Sequence, residues 1–385
     1  MPSTVNRAAV NRQSQTLPRR IALINPTKFL GNLLLAGGLI QQFSERCQQQ
    51  QIALLVVLDE SFRELFADAL PGVQLVYYPR RALSGGVSLT SLRLWLDCVR
   101  SIRGFAADMA FTIEEDSVCH RLAHLSGARH KVSSTVHRYH WGFDQVLDIP
   151  RSGRAAGEEG IWYSFRDVFT ALALPLTDAD GTDGTDGTDE RALTPDYVRL
   201  KPLAPAAQLT ERLVAAGLQP ARPMAVLHAG ASKHYKQWPV PQFVTLARLL
   251  AVQGYQPVLI GAGPRDIEVN RAIREALAET GETCVDLADQ LSLAELASLL
   301  TRADIMVGND SGPSHLASAL GVAGVVIFGP TELAIWAPLG AQTRALQHRQ
   351  ACAPTCTRHH CLRQYACLQS ITPQQVMQAL DLAGK

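Results

Sequence analysis

No apolar run in this chain of 385 residues approaches the roughly 20 residues that a helix needs to cross a bilayer. The opening "MPSTVNRAAVNRQSQTLPRR" is polar and basic, and it lacks the apolar stretch that directs secretion. A cytoplasmic address is therefore expected. Charge of one sign is also lacking: 36 Lys and Arg face 35 Asp and Glu, for a net +1, which gives no pull toward nucleic acid. The local basic cluster "YPRRALSGG" reads as a solvated face, with an anionic membrane surface as the alternative. No tight Cys-x-x-Cys pair occurs among the eight cysteines. Four of them, Cys352, Cys356, Cys361 and Cys367, crowd into one stretch with three, four and five intervening residues, which is not the spacing of a zinc ribbon. A cytosolic setting disfavours disulfides, so these four are either packing residues or a metal site, and the spacing favours packing. Paired acids placed to hold a catalytic cation are missing too. The Asp178 and Asp180 pair lies in the repeat "LTDADGTDGTDGTDERALTPD", whose middle has nothing to bury and reads as a disordered insert over 177–191.

What is present is a large apolar content, 47% of residues, enough for two cores of similar size. Short β-rich runs alternate with helical patterns in both halves. "RIALINP", "IALLVVLDE", "VQLVYYP" and "ADMAFTIEED" come first; "MAVLHAG", "QPVLIGAG", "ADIMVGND" and "GVVIFGP" follow the insert. That rhythm predicts an α/β fold of two Rossmann-like domains with parallel sheets. The expected divisions are a flexible tail at 1–19, an N-terminal domain at 20–205, a C-terminal domain at 206–348, and a cysteine-rich segment with a final helix at 349–385. The final "TPQQVMQALDLA" is expected to pack back across the first domain. Gly37 and Gly38 interrupt the helix that follows the first strand, which implies close packing or a late helix start.

The sharpest chemical signal is "ADIMVGNDSGPSHLASALG". A buried strand ends in a polar turn, and Pro313 suits the first position of a helix whose free N–H groups make an anion site, with Gly312 open to close approach. Asp310 and Ser311 read either as ligand contacts or as ordinary caps. Upstream, "HAGASKHYKQWP" offers Ser232, Lys233 and Lys236 at the carboxyl end of its sheet, where a lysine can neutralise a diphosphate. Trp238 and Pro239 read as packing. "LIGAGPRDIEV" has two of the three glycines of a dinucleotide fingerprint, a weak sign of NAD; Asp266 within it is a candidate for ribose hydroxyls, with a helix-start cap as the plain alternative. His315 falls in a first helical turn, where a positive charge is disfavoured, so a neutral, hydrogen-bonding ring is expected.

In this order the motifs resemble glycosyltransferase family 9, the ADP-heptose:lipopolysaccharide heptosyltransferases. The resemblance rests above all on "SLAELASLLTRADIMVGNDSGPSHLASALGVAGVVIFGPTE", with "KQWP" and the cysteine-rich stretch before "ITPQQV" in support. It implies a GT-B architecture, a nucleotide-sugar donor held by the C-terminal domain, and a lipid-linked or lipopolysaccharide acceptor at the N-terminal one. It implies inverting, metal-independent transfer with no cofactor, and peripheral contact with the inner face of the inner membrane. Its donor loop maps onto Asp310, Ser311, Gly312 and His315, its phosphate lysine onto Lys236, and a hydroxyl position onto Ser232. The family's usual Gly-Asp pair after the first strand is Gly31-Asn32 here. An amide can orient a hydroxyl but cannot act as an ordinary general base. Another group after the fourth strand, from Glu114, Glu115, Asp116 and His120, is then expected to serve, or the leaving diphosphate assists. The alternatives are a donor-binding protein without turnover and a dehydrogenase.

Overall fold

The computed structural model describes residues 18–86, 88–114, 116–133, 142–147, 149, 160–172, 195–201, 207–350, 352, 356 and 361–383. The insert at 177–191, Glu115 and nearly all of the N-terminal tail lie outside the described residues.

The first sheet contains β1 (Arg20–Ile24), β2 (Ala53–Asp59), β3 (Gln74–Tyr78), β4 (Met109–Phe111), β5 (His130–Ser133) and β6 (Gln145–Val146), in the order β3-β2-β1-β4-β5-β6. The second contains β7 (Met224–His228), β8 (Gln256–Leu259), β9 (Val285–Asp286), β10 (Ile305–Asn309), β11 (Gly324–Phe328) and β12 (Thr343–Gln347), in the order β12-β11-β10-β7-β8-β9. Every pairing is parallel. The central strands are continuous apolar runs because helices cover both faces of each sheet. In each sheet the chain reverses direction beside its first strand, between β1 and β4 and between β7 and β10. Ligands of open α/β sheets bind outside the carboxyl ends of strands at such switch points.

Helix α1 (Leu30–Gln49) follows β1 and is buried from Leu33 to Gln41. Its glycines make room for another part of the chain. A β-carbon on Gly37 would lie 2.9 Å from Val198, and one on Gly38 would meet the backbone of Asp196 and Tyr197. Close packing, rather than a late start, is the reason for the pair. The other helices that matter here are α2 (Val240–Val252), α3 (Pro264–Ala278), α4 (Gly312–Ala319) and α5 (Pro373–Ala383). One buried cluster joins Leu39 and Phe43 of α1 to Met306 and Leu316 of the second domain, so the two sheets share an apolar seam.

The final helix departs from expectation. α5 packs on α2, β11 and β12 of the second domain, and its Val376, Ala379 and Leu380 join the core containing Trp238 and Phe243. Trp238 draws it there: the fully buried indole donates to the Ile371 carbonyl at 3.0 Å. No described helix is long and apolar enough to cross a membrane.

Candidate active site

Between the sheets lies a cleft of about 1370 Å³, open to solvent, whose walls follow β1 and β4 on one side and β7, β8 and β10 on the other. Each wall is thus supplied by the switch-point strands.

On the second-domain side, Asn309 sets the geometry. This fully buried residue ends β10; its Nδ2 donates to the carbonyls of Ala229 and Gly230 at 2.9 Å each, while its Oδ1 accepts from the Trp238 N–H at 2.9 Å. One side chain therefore pins both loops that carry the polar residues. The sequence reading passed over it; the signal was an amide at the end of an otherwise apolar strand. A short turn at His234–Lys236 then presents Lys236, whose Nζ donates to Asp310 Oδ2 at 2.6 Å. Thr331 Oγ1 donates to the same oxygen at 2.9 Å. Asp310 is 5% exposed, so it meets the lysine away from water, where charge-assisted bonds are strong.

Two helix starts meet at this point. Neither α4, with Ser311 at its N-cap, nor α1, with Phe29, has a side-chain cap, so their first N–H groups are left for solvent or a ligand. They approach closely because glycine stands at the contact on both sides: a β-carbon on Gly312 would lie 3.0 Å from Leu30, and one on Gly31 would lie 2.9 Å from the His315 ring. Converging N-termini and Lys236 make this end of the cleft suited to an anion.

Beside it, His228 bridges two other candidates. Its Nδ1 lies 2.9 Å from Ser311 Oγ and its Nε2 3.3 Å from Asp266 Oδ2. The same carboxylate oxygen accepts from the Ala262 N–H at 2.9 Å, and its partner oxygen faces Gly230, where a β-carbon would clash with it. Burial works to raise the Asp266 pKa, but the His228 contact and the Ala262 N–H outweigh it and hold the carboxyl below its usual range. Asp266 also lines the cleft, with its carboxylate held by His228 and the Ala262 N–H. Gly263, with φ of 86°, makes the turn into α3 that places it, so these glycines serve the turn. Ser232 lies at the rim, its carbonyl accepting from Arg265 Nη1 at 3.0 Å. Arg265, Lys233 and Lys28 line the same cleft.

His315 is buried, and burial lowers its pKa to about 4; Asp310 opposes that shift and Lys236 adds to it. The ring is neutral at physiological pH.

On the first-domain side, Asn32 lines the cleft from the first turn of α1. It does not cap that helix, since Phe29 holds the cap position. Glu114 also lines the cleft. Asp116 does so as well, but its Oδ1 accepts from the Val118 N–H at 2.8 Å as the cap of helix Ser117–Leu125, and its Oδ2 lies 3.6 Å from Arg80. Arg80 in turn pairs with buried Asp59. A carboxylate tied at both oxygens is poorly placed to collect a proton. His120 turns away from the cleft toward Ser133, 3.1 Å from its Nε2.

The cysteine-rich segment is apart from the cleft. Burial raises the Cys367 thiol, and Cys361, Cys356 and Cys352 lie near enough to disfavour its thiolate further. Among the described residues, no group of three or more His, Cys, Asp or Glu is placed to hold a metal ion.

Two parallel six-stranded Rossmann-like domains facing a polar cleft define the GT-B class. Residues 192–366 match the model of glycosyltransferase family 9 (heptosyltransferase). A lipopolysaccharide heptosyltransferase 2 of Salmonella typhimurium is 32% identical over 151 residues, covering 38% of this chain and 42% of the relative. The chain spans about half or less of the length of the curated relatives it matches. Among solved structures, a glycosyltransferase family 9 protein of Veillonella parvula superposes with a TM-score of 0.74 at 19% identity, covering 96% of this chain and 99% of the other. The E. coli heptosyltransferase WaaC with ADP superposes at 0.64, with 16% identity and coverage of 94% and 99%.

Proposed function

We propose that this protein is a glycosyltransferase that takes a sugar, heptose in the reading favoured here, from an ADP-heptose-like donor and places it on a lipopolysaccharide core or related lipid-linked glycan. The observation that carries the proposal is Lys236, aimed by Asp310, at the meeting point of two uncapped helix N-termini, with Lys28, Lys233 and Arg265 lining the same cleft. The family match and the ADP held by a protein of the same fold support it.

In this reading the donor's diphosphate lies against Lys236 and the start of α4, with its sugar toward Gly31 and Asn32. An acceptor hydroxyl attacks the anomeric carbon from the opposite face as the bond to the diphosphate breaks, so the centre inverts. The developing charge falls on Lys236 and the helix N–H groups, and preorganised donors of this kind are worth about 10²–10³ in rate. The transfer needs no metal in this account, because fixed positive groups supply that stabilisation. The acceptor proton goes to a carboxylate, and Glu114, which lines the cleft just past β4, is our candidate. Peripheral contact with the inner membrane belongs to the same proposal, through the lipid of the acceptor.

A second reading, donor binding without turnover, is favoured by one observation, the amide of Asn32 where the family carries an acid. Mixing the purified protein with a panel of nucleotide sugars and an acceptor glycan, then following thermal stabilisation and nucleotide release, separates the two. Stabilisation with acceptor-dependent release supports the transferase; stabilisation alone supports the binding protein; a response to NAD alone contradicts both.

A further inference from the structure

Tyr197, 4% exposed, lies in the segment that crosses from the first domain to the second, its backbone against Gly38 of α1 and its neighbour Val198 against Gly37. Its hydroxyl lies 2.8 Å from His315 Nδ1. The direction of that bond follows from counting protons. The Leu339 N–H, which can only donate, points at Tyr197 Oη at 3.2 Å. Of these two groups at Tyr197 Oη, only His315 Nδ1 can accept, so the single phenolic proton of this buried residue goes to the ring. Burial pushes the phenol up to about 12, so that proton stays in place.

We infer that Tyr197 is a positioning residue that fixes His315 in the tautomer with its proton on Nε2, making the ring a neutral donor toward an oxygen of the bound nucleotide sugar. Nε2 has no hydrogen-bond partner among the described residues, and the ring lines the cleft against Gly31, one residue from Asn32. Asp310 and Lys236 are the charged groups that act on the ring from the second domain. A histidine free to choose its tautomer would spend part of its time presenting a lone pair to an electron-rich oxygen, which would repel it. The glycines of α1 acquire a purpose here: they admit the segment that brings the phenol to the ring.

The inference rests on the nucleotide-sugar reading for its consequence but not for its geometry, and the test separates the two. Histidine-selective 15N labelling of the ligand-free protein, with His315→Gln to assign the ring, reads the tautomer directly. Wild type should show His315 neutral with its proton on Nε2 from pH 8 down to about 5, whether or not any sugar is transferred. Tyr197→Phe should mix the tautomers and lower kcat about tenfold, with KM for the donor within about twofold. A proton on Nδ1 in wild type would overturn the inference, as would a Tyr197→Phe variant whose tautomer and kcat are both unchanged. A wild-type protein with the Nε2–H tautomer that neither binds nor cleaves any nucleotide sugar would instead count against the proposed function.

Discussion

Gly38 of α1 faces the carbonyl oxygen of Asp196 so closely that a β-carbon there would lie 2.0 Å from it. Alanine in place of glycine normally strengthens a helix by about 1 kcal/mol. Here the contact is backbone against backbone, and neither side can turn away. Gly38→Ala should cost about 1–3 kcal/mol, read as a lower midpoint in denaturant. It should also lower turnover through the displaced Tyr197. A variant as stable as wild type would show that the crossing segment is not held where the structure places it.

Donor affinity should depend on Lys236 and Asp310 more than on any residue of the first domain. Lys236→Ala removes the point charge, and Asp310→Asn frees the ammonium from the partner that aims it. A charge-assisted hydrogen bond is worth about 1.5–3 kcal/mol, so titration calorimetry with ADP as the probe should show affinity lower by about ten- to a hundredfold. A neutral Lys236→Ala would remove the assignment of the diphosphate pocket.

The buried neutral ring of His315 sets a pH dependence of stability. Its folded pKa of about 4 lies below the ordinary value of 6.5. Above pH 6.5 both folded and unfolded chains carry a neutral ring and the group contributes no slope. As pH falls through that value the unfolded state takes up a proton that the folded state refuses, so stability declines until about pH 4 is reached. The loss should approach about 3 kcal/mol. Denaturation curves of wild type and His315→Gln between pH 7 and 4.5 should diverge in slope, wild type falling more steeply. Parallel curves would mean that the ring takes its proton in the fold.

Asn32 and Glu114 divide the question of the base. Glu114→Gln should lower turnover about a hundredfold, within the usual range for a general base, while leaving ADP affinity unchanged. Asn32→Asp should raise turnover, because a carboxylate at the start of α1 can accept the hydroxyl proton that an amide cannot. If steady-state rates with acceptor respond to neither change, proton transfer to a side chain is not what limits this protein.

The eight strands read from the sequence are the more apolar runs, seven of them inside the sheets and one, β3, at an edge. β5, β6, β9 and β12 escaped because "HKVS", "QV", "VD" and "TRALQ" are short or polar, as edge strands and their neighbours can afford to be. Lys236, Asp310 and His315 were legible because each follows a strand end in a local motif. What the sequence could not display were pairings set by distant chain segments: Asp266 with His228, 38 residues away, and Tyr197 with His315, 118 residues away. The course of α5 follows from the packing of Val376, Ala379 and Leu380 with Trp238 and Phe243 and from the indole hydrogen bond to Ile371, partners that periodicity does not identify. Asp116 read as a free acid although its cap role is local; its guanidinium partner, Arg80, appears only once the ends of β3 and β4 come together.

The most direct test of the account is acceptor-dependent release of ADP from ADP-heptose, measured in the presence of a chelator for wild type and Lys236→Ala. The account predicts stoichiometric transfer by wild type, undiminished by the chelator, and release reduced at least about tenfold by the substitution. Wild-type protein that leaves every nucleotide sugar intact in the presence of a lipopolysaccharide core acceptor, or a Lys236→Ala variant that transfers at the wild-type rate, would contradict it.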